Sequence, residues 1–292
     1  MKITDTNEKL KQIKCVGLAS KPNATNLTPY YKKLKELFLQ YNVELIVETK
    51  SAKFLGCESV SFEDMCKRSD FLISLGGDGT LISLCRKSFE YEKPILGIYA
   101  GQLGFLTNIK FEEIDSFIDD IFNKKYKIDT RMMLEVSLHV KGKVEKLVAF
   151  NDVVFSRPKL SSMATIEAYI DDELMNSYYG DGLIVSTPTG STAYNVSAGG
   201  PVVYPLTKAI ILTPVCPHSL TQRPLVLPVN FEIKFKSSNM DTVIIVDGQD
   251  TYSMGDFDYV SVKIAPKEAK LIHKINRNHF KVLKEKLHWG KK

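Results

Sequence analysis

The segment Ser74-Leu75-Gly76-Gly77-Asp78-Gly79-Thr80-Leu81 sets one carboxylate among three glycines, between a run suited to a strand and a pattern suited to a helix. Glycines there permit a tight turn and let backbone amides come close to a ligand. Amides at the start of a helix favour anionic groups such as phosphate. Gly76, Gly77, Gly79 and Thr80 therefore form a candidate phosphate loop. Asp78, expected to be exposed, could accept a proton or help hold a metal. The plainer reading is a strand-to-helix turn with an aspartate cap, but two glycines before the carboxylate and one after it exceed what a cap needs. No Gly-x-x-x-x-Gly-Lys-Ser/Thr sequence exists, which excludes a P-loop NTPase. Reading Gly77-x-Gly79 as a dinucleotide fingerprint puts Ile82 where its third glycine belongs, so a Rossmann dehydrogenase is excluded as well.

A second constellation is longer. The apolar run after Gly180-Asp181-Gly182 ends in Thr187-Pro188-Thr189-Gly190-Ser191-Thr192-Ala193-Tyr194 and continues through Ser197-Ala198-Gly199-Gly200-Pro201. Its hydroxyls and approachable backbone can hydrogen-bond a ribose, an adenine edge or phosphate oxygens, and Tyr194 offers a ring for base stacking. Turn-forming small residues alone would be the plainer account. The third is Asn151-Asp152, two polar residues interrupting the apolar run from Leu147 to Phe155. Such a pair is costly if buried without partners, and a solvent-facing bulge or turn accounts for it equally well.

The elements that must hold these groups fall into two textures. In the first half, strand-like runs at Cys15–Ala19, Val43–Val47, Phe71–Leu75 and Pro94–Tyr99 alternate with helical patterns at 28–41 and about 112–123. That alternation predicts a mostly parallel sheet with helices on its faces. After about Tyr126 the chain turns to short β-rich runs, at 133–140, 147–155, 165–170, 210–213, 231–235, 243–246 and 259–264, with turn residues between several of them. The expected fold class is thus α/β, an N-terminal α/β domain over residues 1–126 and a β-rich domain over 127–268. A helical segment over 269–292 is expected to pack back on the first domain.

The 292 residues suffice for one large domain or two ordinary ones, and 44% hydrophobic with 25% charged content is that of an ordinary globular protein. A net charge of +5, with lysines scattered and the run from Lys281 to Lys292 read as a solvated tail, predicts no nucleic-acid partner. No apolar run is long enough for a membrane span, and the polar start, residues 1–14, is no secretory signal. Five cysteines without a Cys-x-x-Cys pair give neither a zinc pattern nor a disulfide framework. A reduced, cytoplasmic protein is expected. His218, beside Cys216 and near Arg223, is tempting but lacks a catalytic constellation; His139, His273, His279 and His288 show no partner pattern.

In their order along the chain these motifs resemble the NAD kinase family. Gly76-Gly77-Asp78-Gly79 is similar to that family's Gly-Gly-Asp-Gly signature, Asn151-Asp152 to its Asn-Glu pair, and Thr187 to Tyr194 to its most selective motif. Leu103-Gly104-Phe105-Leu106-Thr107, Pro217-His218-Ser219-Leu220 with Arg223-Pro224, and Asp247-Gly248-Gln249 extend the resemblance over about residues 15–275. The resemblance implies transfer of the terminal phosphate of ATP, or of inorganic polyphosphate, to the adenosine-ribose 2′-hydroxyl of NAD, with Asp78 as proton acceptor. It implies NAD contacts at Asp78, Gly79, Asn151, Asp152, Asp181, Thr192, Ala193, Tyr194, Asn195, Ser197 and Gln249, and pocket contacts at Phe105, Ser162 and Tyr179. Mg²⁺ or another divalent cation would come with the ATP and not on protein side chains, and the chain would form a homodimer or homotetramer. Three positions depart from the family pattern: Asp152 for Glu, Tyr99 where Asn is common, and Tyr179 where Arg is common. A lipid or sugar kinase sharing the glycine loop, and a non-catalytic nucleotide sensor, are the competing readings.

Overall fold

The computed structural model describes residues 9–100, 104–107, 109–159 and 162–288. Leu103 and the ends of both termini, which enter the expectations above, lie outside the described residues. The chain divides into two compact units, one formed by the residues up to Thr130 together with those from Ala269 onward, the other by Arg131–Glu268.

In the first unit, strand β1 (Cys15–Ser20) leads through helix α1 (Thr28–Gln40) to β2 (Glu44–Val47). Helices α2 (Thr49–Leu55) and α3 (Phe62–Arg68) follow, then β3 (Phe71–Gly76), α4 (Asp78–Lys87), β4 (Pro94–Tyr99), β5 (Ile109–Lys110) and α5 (Ile114–Phe122). The strands pair in the order β2-β1-β3-β4, all parallel, with β5 parallel to the end of β4. Every residue of β3 and β4 is buried, as parallel strands covered on both faces require. Helix α1 packs through Tyr31, Leu34 and Phe38, one helical face, and carries Pro29 in its first turn, where no amide partner is lost. The strand ends, glycine loop included, thereby hang from a rigid central pair.

The second unit is a β-sandwich. Its strands are β6 (Tyr126–Val140, whose first five residues belong to the first unit), β7 (Lys143–Ala149), β8 (Asp152–Ser156), β9 (Ala164–Ile170), β10 (Glu173–Gly180) and β11 (Gly182–Ser186). A single helical turn, α6 (Tyr194–Ser197), precedes β12 (Ile210–Val215), β13 (Leu225–Leu227), β14 (Ile233–Ser237), β15 (Val243–Val246), β16 (Asp250–Ser253) and β17 (Tyr259–Lys274). One layer runs β13-β12-β11-β8-β15-β16, antiparallel throughout; the facing one contains β10-β9-β14 with residues 260–262 of β17. Alternate residues of both layers meet in one core that includes Phe155, Val185, Leu212, Phe235 and Val260, with the rings of Phe155 and Phe235 4.7 Å apart.

Two expectations about elements change. Leu147–Phe155 is not one strand: β7 ends at Ala149 and β8 begins at Asp152, because the amides of Phe150, Asn151 and Asp152 turn to a side chain. The segment from Lys270 is not helical at its start. It completes β17, whose residues 270–272 lie parallel beside β4, and helix α7 (His279–Leu287) begins only afterwards. Buried Leu271, Ile272 and His273 form the continuous run of a doubly covered strand, which periodicity does not separate from a buried helix.

Candidate active site

The glycine loop joins β3 to α4. Gly77 is extended, at φ −101° and ψ −172°, and Asp78 is the first residue of the helix. The Gly77 carbonyl accepts from the amides of Thr80 and Leu81 at 3.1 and 3.2 Å, closing the first turn. The loop therefore offers the start of a helix, where amides and helix dipole both favour an anion.

Asp78 is half-buried rather than exposed, and its carboxylate is engaged. Oδ2 accepts from the Phe105 amide at 2.7 Å; Oδ1 accepts from the Thr107 amide and from the Thr107 hydroxyl, each at 2.9 Å. The Leu106 amide reaches both oxygens at 3.2 and 3.3 Å. Gly104 makes this possible, since a Cβ there would land on the carboxylate itself. Phe105, expected as a pocket contact, thus acts on Asp78 through its backbone, and Thr107 joins it. Tyr99 is buried at the end of β4, in register with Gly76 on the neighbouring strand. Burial, with Glu113 and Glu112 nearby, raises its phenol above the usual value.

In the second unit, Asp247 organises the Asn151-Asp152 pair. Its carboxylate accepts from the amides of Phe150 and Asn151, each at 2.7 Å, and of Asp152 at 3.0 Å. The carbonyls of the same stretch are held by Thr187, whose hydroxyl donates to Phe150 O at 2.8 Å and whose amide donates to Asn151 O at 2.8 Å. Asp152 is 5% exposed. Desolvation, reinforced by the charge of Asp247, pushes its carboxyl up to about 7.

The hydroxyl-rich loop packs against this turn. A Cβ on Gly190 would collide with the Asn151 carbonyl oxygen, so only glycine lets the two backbones meet. Ser191 and Thr187 are fully buried; the Ser191 hydroxyl donates to Pro188 O within the loop, and the Thr187 hydroxyl accepts from the Gly190 amide while donating to Phe150 O. Asn195 is fully buried too. Its amide donates to Ser191 O at 2.9 Å and Pro201 O at 3.0 Å and accepts from the Thr213 hydroxyl at 2.6 Å, leaving it a loop-holding side chain. Asn195, expected as an NAD contact, thus has its side chain engaged within the protein. Thr192 and Ala193 are half-buried, whereas Ser197 and Tyr194, the latter 46% exposed, face outward.

Asp181 pairs with Arg157 at 3.0 Å, and the Arg157 guanidinium also reaches Ser162 O at 3.4 Å. The cation beside Asp181 is therefore Arg157, which the sequence reading did not single out. Tyr179, 47% exposed, meets His218 edge to face at 5.7 Å. Gln249 is exposed on the turn that Asp247 begins.

Family models of the ATP-NAD kinase N-terminal and C-terminal domains match residues 16–126 and 150–274. The chain is 51% identical over 280 residues to the NAD kinase of Sulfurimonas denitrificans, covering 96% of this chain and 99% of that one. It is 50% identical over 281 residues to a Campylobacter jejuni NAD kinase, covering 96% and 97%. Yeast NADH kinase complexed with NADH has the same fold at a TM-score of 0.85 and 26% identity, over 96% of this chain and 89% of that chain. The NAD kinase from Archaeoglobus fulgidus in complex with ATP gives a TM-score of 0.75 over 94% and 98%, a likeness that at 24% identity speaks for the fold. A lipid or sugar kinase that merely shares the glycine loop would not agree at half of all positions across nearly its whole length, and the chain belongs to the NAD kinase family.

Proposed function

We infer that the chain transfers the terminal phosphate of ATP to the 2′-hydroxyl of the adenosine ribose of NAD, giving NADP. The observation that carries the mechanism is the Asp78 carboxylate, which heads α4 in the glycine loop and is aimed by the 105–107 backbone. Phosphoryl transfer asks a protein for position and charge stabilisation more than for covalent chemistry. Asp78 takes the proton of the attacking hydroxyl, a contribution on the order of 10²- to 10⁴-fold. To do so it exchanges one amide donor for the substrate hydroxyl. The backbone of Gly76, Gly77, Gly79 and Thr80 receives the phosphates.

NAD is held by Asn151, Asp152, Asp181, Thr192, Ala193, Tyr194, Asn195, Ser197 and Gln249, with Tyr194 stacking on a base. Among the described residues no three His, Cys, Asp or Glu side chains gather into a metal site. Mg²⁺, or another divalent cation, arrives as part of the ATP substrate and neutralises charge on the transferring group. In this reading the residues up to 126 form the phosphate-loop domain and 127–268 the NAD-binding domain. The protein works as a cytoplasmic homodimer or homotetramer; among the described residues no helix is long and apolar enough to cross a membrane.

The test is a coupled assay with Mg²⁺-ATP and NAD, reported by an NADP-specific dehydrogenase, for wild type and Asp78→Asn. NADP formation that falls by 10²-fold or more in the variant, with NAD binding retained, supports the reading. Binding of NAD without NADP from ATP or polyphosphate would make the chain a nucleotide sensor.

A further inference from the structure

Three ionisable side chains outside the proposed site converge behind the segment that grips Asp78. Asp129 lies on β6, His273 near the end of β17, and Arg277 in the turn that precedes α7. Asp129 and His273 are 6% and 2% exposed, and the Arg277 side chain 6%. Arg277 Nη1 stands 2.6 Å from His273 Nε2, and Asp129 Oδ2 lies 3.7 Å from the same Nη1 and 3.6 Å from the imidazole. An arginine only donates, so Nε2 accepts and the ring carries its proton on Nδ1. The guanidinium is therefore the cation that Asp129 balances. Its other nitrogen, Nη2, donates to the Phe105 carbonyl at 2.8 Å.

That carbonyl belongs to the same peptide group as the Leu106 amide, which points at Asp78. One peptide unit thus bridges a buried guanidinium and the carboxylate assigned as proton acceptor. Hydrogen bonds in such a chain polarise one another, and a charge-assisted bond at one end strengthens and fixes the other. Burying a charge is expensive, and anchoring the chain between β17 and α7 could be done by apolar residues at lower cost. A cation aimed at this carbonyl instead fixes which way the 105–106 peptide faces. With the peptide reversed, a carbonyl oxygen would confront the Asp78 carboxylate in place of an amide.

We propose that Arg277, held by His273 and Asp129, is a positioning residue for phosphoryl transfer, fixing the 105–106 peptide that aims Asp78. The proposal rests on Asp78 being the proton acceptor. It assigns Arg277 to the chemical step and not to substrate binding, because its guanidinium is engaged by His273 Nε2, Asp129 and the Phe105 carbonyl.

The test compares steady-state kinetics of Arg277→Met, Arg277→Lys and the double variant Asp129→Asn with Arg277→Met, each with a thermal melt, alongside Asp78→Asn. The double variant removes both buried charges and so keeps a folded protein in hand should the single one unfold. The expected result is a kcat lower by about 10- to 100-fold in the folded variants with both KM values within about threefold, since small misplacements of a catalytic group act at this scale. Arg277→Lys recovers part of the loss, because an ammonium can still donate to the Phe105 carbonyl. A wild-type kcat in a folded variant, a loss that only follows the unfolded fraction, or unfolding of both Met variants would overturn the proposal. Should Asp78→Asn remain active, it is the reading of Asp78 that fails, whatever Arg277 does.

Discussion

Asp152 and Asp247 place two carboxylates at one turn with opposite surroundings. Asp247 accepts from three consecutive backbone amides, including that of Asp152 itself, while the Asp152 side chain is buried and raised to about 7. The pair divides the work: one carboxylate shapes the turn by accepting its amides, while burial beside it raises the carboxyl of the other.

The first prediction concerns pH. Asp152 ionises at about 7 in the folded chain but near 3.8 when unfolded, so the folded state binds more protons across that window. Stability from this site is therefore fully present below the unfolded value, declines as pH rises through about 7, and is constant beyond. Asp152→Asn removes the titration. Urea melts should show the variant gaining on wild type between pH 5 and 8, by roughly 2–3 kcal/mol at most. A difference that stays flat with pH would mean that Asp152 ionises normally.

Asp247→Asn should weaken the turn without straining it. Asp247 sits at φ 52°, a left-handed conformation that Asn tolerates, so the backbone can stay in place. One amide oxygen cannot serve all three N–H donors, and the loss should cost about 1–3 kcal/mol. Because the turn carries Asn151 and Asp152, KM for NAD should rise while KM for ATP holds. Kinetics with each substrate varied in turn would check the split.

Gly104→Ala brings a methyl group onto the Asp78 carboxylate. The carboxylate must leave its amides, and displacement of about 1 Å typically costs on the order of 10² in rate. The expected phenotype is a kcat loss approaching that of Asp78→Asn with an almost unchanged melting temperature. Normal turnover would show that Asp78 works from a different position.

How much of this was legible in the sequence depends on how far each contact reaches. Strands β3 and β4 show as bounded apolar runs because they are buried on both faces, and the glycine loop between β3 and α4 is local. The break between β7 and β8 is not, since it follows from a carboxylate some 95 residues away. Arg157 beside Asp181, and Arg277 on the Phe105 carbonyl 172 residues distant, leave no trace in spacing or periodicity. The hydroxyl-rich loop was visible as a motif, yet its composition does not tell which side chains face inward. Burial alone separates Asn195 from Tyr194.

Those two neighbours should therefore give opposite phenotypes. Asn195→Ala strips three hydrogen bonds from a fully buried site and leaves Ser191 O, Pro201 O and the Thr213 hydroxyl without their partner. Such a loss costs about 2–4 kcal/mol, with a cavity added. Tyr194→Ala removes an outward ring that is 46% exposed, so stability should move by about 0.5 kcal/mol or less. If the ring stacks on a base, its removal costs about 1–3 kcal/mol of binding, which raises KM for NAD by roughly 5- to 150-fold. Melting curves and NAD titrations on the two variants separate the roles: a Tyr194→Ala enzyme with wild-type NAD affinity would remove Tyr194 from the site, and a stable Asn195→Ala with weak NAD binding would make the Asn195 side chain a direct ligand contact.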